Sequence, residues 1–311
     1  MTTFESRMSF LQPWALEKGN PYVRGAAAEG FPRLNYSSQE HSVGITDGRP
    51  TKNEFDINVH GFAYHTDNTI TDEILEILRK NDKALIARDY YPLVEALVKK
   101  NTGASRVVIF DHTLRRRDPT LASGDNLNWR DQPASLVTGA LRRVYQHLGD
   151  EADELLQGRA QIINVWRPLR GPVQEWPLAT MDSRSLTEPN IHPTNIFKYQ
   201  YELQGQTVSI THSPDQRWYY LDQQQTNEVT FIKIWDNQDD AIAKLCAHCA
   251  FPHPETPPDA PVRESMEVRC LIHTVKWYST RNKLSQTGIT LETLDAKEIG
   301  SLFPLDMGFI Y

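Results

Sequence analysis

The chain has few cysteines, no excess of positive charge and no long apolar run, and each lack removes a class of protein. Cys246, Cys249 and Cys270 are the only thiols in 311 residues. An odd, sparse set does not make a disulfide framework, so reduced thiols are expected and stability must come from a core. Lys and Arg number 33 against 40 Asp and Glu, a formal net charge of −7. No basic field is available to hold a phosphate backbone, so nucleic acid is not an expected partner. No apolar stretch approaches the roughly 20 residues that cross a bilayer. The opening MTTFESRMSF also lacks the charged-then-apolar plan of a secretion signal. Together these readings exclude a membrane partner and point to the cytoplasm. G-x-S-x-G, a phosphate-cradling glycine loop and H-E-x-x-H are missing too, which leaves hydrolase and nucleotide-dependent readings without support.

What is there is a large apolar fraction, 39% of residues, in two successive patterns. Residues 1–70 are rich in Gly, Pro, Asn and Ser and read as an irregular N-terminal arm with a strand or two. Residues 71–158 read mainly as flanking helices: Asp72 caps EILEILRK, DYYPLVEALVKK repeats its apolar residues at helical spacing, and Leu136, Ala140, Val144 and Leu148 share one helical face. SRVVIFDHT lies between these helices as a buried strand. Residues 159–311 hold the main part of a barrel, with strands predicted in QIINVWRPL, IFKYQYEL, TVSITHS, RWYYLD, EVTFIKIWD and SMEVRCLIHT. No helix here is long enough to cross between parallel strands, so the sheets should be antiparallel. The whole of 1–311 reads as a single domain, mainly β with flanking helices.

Candidate chemistry gathers around a few positions. His248 precedes a proline-rich connection, FPHPETPPDAPV, after which Arg263 and Ser265 open a strand. A guanidinium fork and a hydroxyl two residues apart point to one side of a strand and can grip a carboxylate. The same residues could equally be a surface ion pair and a core histidine. Cys246, His248 and Cys249 lack a fourth ligand at paired spacing, so zinc is not expected. Trp166 with Arg167, Trp218 with Tyr220, and Arg115, Arg116 and Arg117 beside His112 form aromatic and cationic clusters suited to core packing or to binding a small-molecule substrate.

The series FDHTLRRR, QIINVWRPLRGPVQEWPLATMDSRSL, RWYYLDQQQTNEVTFIKIWD, AHCAF and VRESMEVR, in this order between Val107 and Leu271, resembles the fungal AsaB-like hydroxylase/desaturase family. That family is related to gibberellin desaturase and the cephalosporin methoxylase component. The resemblance implies a double-stranded β-helix, a jelly-roll or cupin-like barrel, of the Fe(II)/2-oxoglutarate oxygenases. It also implies a role in tailoring secondary metabolites. By the same resemblance His248 is the distal iron ligand, Asp131 the aspartate of the proximal His-x-Asp pair, and Arg263 with Ser265 the grip on the cosubstrate's far carboxylate. Trp129 stands where the proximal histidine belongs.

An indole has no lone pair for a metal, so the sequence favours no cofactor. The first expectation is a redox-neutral cyclisation, isomerisation or dehydration, with Arg263, His248, Asp131 and Trp129 as the catalytic set. In that reading the substrate is held by Trp218, Tyr220, Trp166, Arg167, Ser265, His112 and the three arginines. The alternative is a hydroxylase/desaturase using Fe(II) and 2-oxoglutarate, with Asp131, His248 and possibly the nearby His112 as ligands. A non-catalytic small-molecule binding protein is the third.

Overall fold

The computed structural model describes residues 1–24, 32–116, 137–197 and 203–274, which all fall within one unit, Met1–Thr274. In chain order the strands are β1 (Thr3–Leu11), β2 (Tyr22–Arg24), β3 (Ser38–Asp47), β4 (Phe62–Thr66), β5 (Arg106–Arg116), β6 (Arg159–Pro168) and β7 (Leu178–Met181). They continue as β8 (Ile191–Phe197), β9 (Leu203–Ile210), β10 (Trp218–Tyr220), β11 (Glu228–Asp236), β12 (His248–Ala250) and β13 (Glu264–Thr274). The helices are α1 (Asp72–Lys80), a short α2 (Lys83–Leu85) leading through a π-turn into α3 (Tyr91–Thr102), then α4 (Val137–Leu148) and α5 (Ala152–Leu156). None of the described helices is long and apolar enough to cross a membrane.

The strands form two facing sheets and a small third one. The main sheet runs β4-β11-β6-β13-β5 and is antiparallel throughout. The second runs β1-β3-β10-β7-β12, with one parallel pair, β3 and β10. Strands β2, β8 and β9 make the third. This is the double-stranded β-helix expected from the sequence. Alternation along β13 shows how the layers are built. Met266, Val268, Cys270 and Ile272 pack with Leu75, Leu78, Ile86, Tyr90, Val94 and Val98 from the helical layer of α1 to α3, whereas Leu271 joins Phe62, Tyr64, Ile162, Trp166 and Ile232 on the face turned inward. A period of two in a strand and of 3.6 in a helix makes each residue's face a consequence of its position.

The structure corrects the reading of the first seventy residues. They are not an irregular arm: β1 and β3 are the outer strands of the second sheet, and β4 is an edge of the main one. Two strands of each five-stranded sheet therefore precede residue 159, the expected start of the barrel. The signal in β1 was weak because the positions on its packed face, Ser6 among Phe4, Met8 and Phe10, mix polar with apolar residues. Of the predicted strand IFKYQYEL, Ile196 and Phe197 end β8 and Leu203 opens β9, and 198–202 lie outside the described residues. Thr71 rather than Asp72 is the N-cap of α1, its Oγ accepting from the Ile74 N–H.

Candidate functional site

The inward face of the main sheet is set by its register. Tyr64, Thr230, Trp166, Glu267 and Thr113 lie in one cross-strand row. The next row holds Phe62, Ile232, Asn164, Arg269 and Asp111. Ser265 sits one step beyond Glu267, between Pro168 and Arg115. On the second sheet His248, Thr180 and Tyr219 form a row of their own. These rows turn toward each other: Tyr219 packs in the same cluster as Phe62, Tyr64 and Trp166, and the Glu267 carboxylate acts electrostatically on His248.

Charge is concentrated around Glu267, which is 1% exposed. The Arg115 guanidinium donates to both its carboxylate oxygens at 3.2 Å, and Arg269 donates to Oε1 at 2.8 Å. Burial pushes the acid's pKa up, but the two arginines outweigh it and hold the carboxyl below its ordinary range. Arg269 also reaches Asp111 at 2.5 Å. Phe55, Phe62, Tyr64 and Tyr219 supply an aromatic wall, with ring centroids 4.8 Å apart for Phe55 and Phe62 and 5.0 Å for Phe55 and Tyr219.

His248 is prepared in a particular way. Its Nδ1 lies 3.0 Å from the Cys246 carbonyl oxygen, which can only accept, so Nδ1 carries the proton and Nε2 keeps its lone pair. Burial lowers the imidazole's pKa against the opposing pull of Glu267, which keeps the ring neutral. A neutral histidine with its tautomer fixed by a carbonyl is the form that binds a metal. Ser265 is fully buried and its Oγ has no hydrogen-bond partner; Asn164 Oδ1 is likewise buried and unpartnered. A buried hydroxyl without a partner carries a desolvation cost that a bound acceptor would relieve. On these observations the described residues fit one ligand of a ferrous ion and one contact of a bound carboxylate.

Of the positions expected from sequence, His248, Ser265, Arg115 and Trp166 lie on this interior. Arg263 stands in the connection leading into β13, its backbone N–H donating to Glu175 at 3.1 Å. Five others do not join the interior. His112 is the cross-strand partner of Val268 on the helix-packed face, and its Nδ1 meets the Tyr91 hydroxyl at 2.6 Å, so it cannot serve as a replacement iron ligand. Arg116 pairs with Glu264 at 3.0 Å near the surface. Arg167 also faces the helices, fully buried, donating to Asp67, Tyr90 and the Thr226 carbonyl. Trp218 and Tyr220 turn to the opposite face of the second sheet, among Met8, Phe10, Ile45 and Phe251. Trp129, Asp131 and Arg117 lie outside the described residues.

Alternation explains the main error: in RWYYLD the middle residue, Tyr219, faces inward, and its two aromatic neighbours face out. Cys249 follows the same rule and turns from His248 to the outer cluster. His65-x-Asp67 is structural, with His65 against the Phe231 ring and Asp67 paired to Arg167. Glu267, Arg269 and Asn164 were missed, and Tyr219 was noted only as part of the aromatic run with Trp218 and Tyr220. The VRESMEVR alternation could have revealed the first two, since Arg263, Ser265, Glu267 and Arg269 occupy every second position.

A family profile described as an oxidoreductase/YMDC permease-like domain matches residues 8–273. The chain is 36% identical over 277 residues to the Fe(II)/2-oxoglutarate-dependent dioxygenase nvfI of Aspergillus novofumigatus, covering 87% of this chain and 97% of that protein. A solved structure of the iron and alpha-ketoglutarate-dependent endoperoxidase NvfI superposes with a TM-score of 0.79 at 35% identity, covering 88% of this chain and 99% of that one. Over 134 residues, 43% of the chain, identity reaches 65% with the aspirochlorine biosynthesis protein N of Aspergillus oryzae, a match that spans only 56% of that relative. With its sheets, its inward rows and these likenesses in agreement, the chain belongs to the fungal AsaB-like, NvfI-type family of Fe(II)/2-oxoglutarate-dependent hydroxylase/desaturases.

Proposed function

We propose that the protein is an oxidative tailoring enzyme of secondary metabolism that acts on a small molecule with Fe(II) and 2-oxoglutarate. The observation that carries this reading is the tautomer of His248: the Cys246 carbonyl occupies Nδ1 and leaves Nε2 as a donor for a metal. His248 would hold the iron together with Asp131, and Ser265 with Arg263 would take the far carboxylate of 2-oxoglutarate. When bound, ferrous iron and 2-oxoglutarate supply the dioxygen-dependent oxidising power needed to attack an unactivated carbon. The chain's own residues orient and enclose. The Arg115–Glu267–Arg269 clamp fixes the charge beside His248, and the aromatic wall of Phe55, Phe62, Tyr64 and Tyr219 excludes water and offers an apolar surface to the substrate.

One feature of the sequence favours the redox-neutral reading. By the family resemblance Trp129 stands where the proximal histidine belongs, and an indole cannot donate a lone pair, so a cyclisation, isomerisation or dehydration in the same interior would rest on confinement and on the positioned cations. Anaerobic reconstitution with Fe(II), followed by measurement of bound iron and of 2-oxoglutarate consumption, separates the two. Near-stoichiometric iron lost on His248→Ala, with turnover that needs 2-oxoglutarate, is expected from the oxygenase. Turnover of substrate by metal-free protein, weakened in Trp129→His, would overturn it in favour of the second reading.

A further inference from the structure

Helix α4 buries Ala140 and Val144 in the inward-facing cluster that also holds Phe110 and Leu271. Phe110 is there because of a bulge. The register of β5 against β13 shifts between Arg269 and Cys270, so Asp111 and Ile109 are paired while Phe110 is the extra residue. Two residues of α4 use its ring: His147 stacks on it with centroids 5.1 Å apart, and the Arg143 guanidinium lies 5.6 Å from its centroid.

Arg143 differs from the other two guanidinium groups of this region. Arg115 is bonded to Glu267, and Arg269 to both Glu267 and Asp111. Arg143 is half-buried, and among the described residues it has no carboxylate within ion-pair distance. The charges that act on it are Arg269 and Arg142, which repel it, and Asp111, which attracts it. Among the described residues Arg143 is thus the guanidinium of this group that has no acid of its own. A partly desolvated guanidinium without an ion-pair partner is unfavourable until an anion joins it. Burial and the neighbouring Arg269 both lower the pKa of Arg143, consistent with a missing counter-charge.

We propose that Arg143 is the anchor for an anionic oxygen group, a carboxylate or an ionised enol, carried by the organic substrate. This rests on the tailoring-enzyme reading and adds to it the class of substrate. The cosubstrate's carboxylate has a separate place at Ser265, four residues from Arg269 along β13.

The test uses the full chain and a matched pair of probes, 2-naphthoate and its neutral isostere 2-naphthamide, measured by equilibrium dialysis beside 2-oxoglutarate. Wild-type protein should bind the carboxylate at least tenfold more tightly than the amide. Arg143→Gln should abolish that preference, Arg143→Lys should keep most of it, and Arg142→Gln, an exposed neighbour, should keep all of it. Equal binding of the two probes by wild type, or an unchanged preference in Arg143→Gln, overturns the proposal. Selective loss of 2-oxoglutarate binding in Arg143→Gln also overturns it, by assigning Arg143 to the cosubstrate, and leaves the oxygenase reading standing. A wild type that prefers naphthoate through Arg143 yet binds no 2-oxoglutarate supports the anchor and counts against the oxygenase reading.

Discussion

The two faces of the main sheet are built from the same strands and follow opposite rules. Among the described residues the helix-packed face is mostly apolar; its buried ion pair, Arg167 with Asp67, is satisfied by Tyr90 and the Thr226 carbonyl, and its two histidines, His65 and His112, pack on Phe231 and Tyr91, with only His112 Nε2 left without a partner. The inward face carries Glu267, Arg115, Arg269 and Asp111 and leaves buried polar atoms of Ser265 and Asn164 without partners. Satisfied burial stabilises, whereas unsatisfied burial costs stability and is retained where a ligand completes it. The comparison assigns folding to one face and chemistry to the other, and substitutions on the two faces should fail in different ways.

The sharpest contrast comes from His248→Ala and Arg167→Ala. His248→Ala should reduce iron- and 2-oxoglutarate-dependent turnover by about 100-fold or more, from the loss of a metal ligand, with urea unfolding little changed. Arg167→Ala should leave Asp67 as an uncompensated buried charge and remove about 3–5 kcal/mol of stability, seen as a lower urea midpoint. An Arg167→Ala protein that unfolds like wild type would break the comparison, because the helix-packed face would then not depend on its ion pair.

A smaller effect on the same face is a pH dependence. Burial against Phe231 lowers the pKa of His65 from an ordinary 6.5 to about 4. Between those values the unfolded chain binds the proton and the folded one does not, so stability is complete above pH 6.5 and falls as the pH drops toward about 4. The contribution is on the order of 2–3 kcal/mol. In His65→Gln the decline of the urea midpoint across that window should be shallower; an identical slope would remove His65 from the account.

Ser265→Ala should have the smallest effect on folding and a selective effect on function. Its hydroxyl has no partner to lose, so the unfolding free energy should change by less than about 1 kcal/mol. A hydrogen bond to a charged group is worth about 1.5–3 kcal/mol, so the apparent KM for 2-oxoglutarate should rise roughly 10- to 100-fold while kcat changes less. An unchanged KM would place the cosubstrate elsewhere.

Local periodicity made much of this molecule legible. EVTFIKIWD and SMEVRCLIHT became β11 and β13, and the apolar spacing in EILEILRK and YPLVEALVKK became the helices that cover one face. His248 and Ser265 stood out from their places before a proline-rich connection and at the start of a strand, the family resemblance gave them roles, and both lie on the inward face. Trp218 and Tyr220 were misplaced because a strand of three aromatics shows alternation without showing which phase faces the chamber. His112 and Arg167 failed for the same reason, one residue out of phase with Thr113 and Trp166.

The sequence by itself therefore determined the elements, their inner periodicity and the family. The tertiary structure decided which phase of each strand met the opposite sheet and which met the helices. It also used a bulge at Phe110 to bring two consecutive residues of β5 inward, and enlisted β1, β3 and β4 from a segment with little pattern of its own. The physical reason is range: dihedral preference and side-chain alternation act between near neighbours, whereas the choice of face is made by strands such as β4 and β11, more than a hundred residues apart, when their registers lock together.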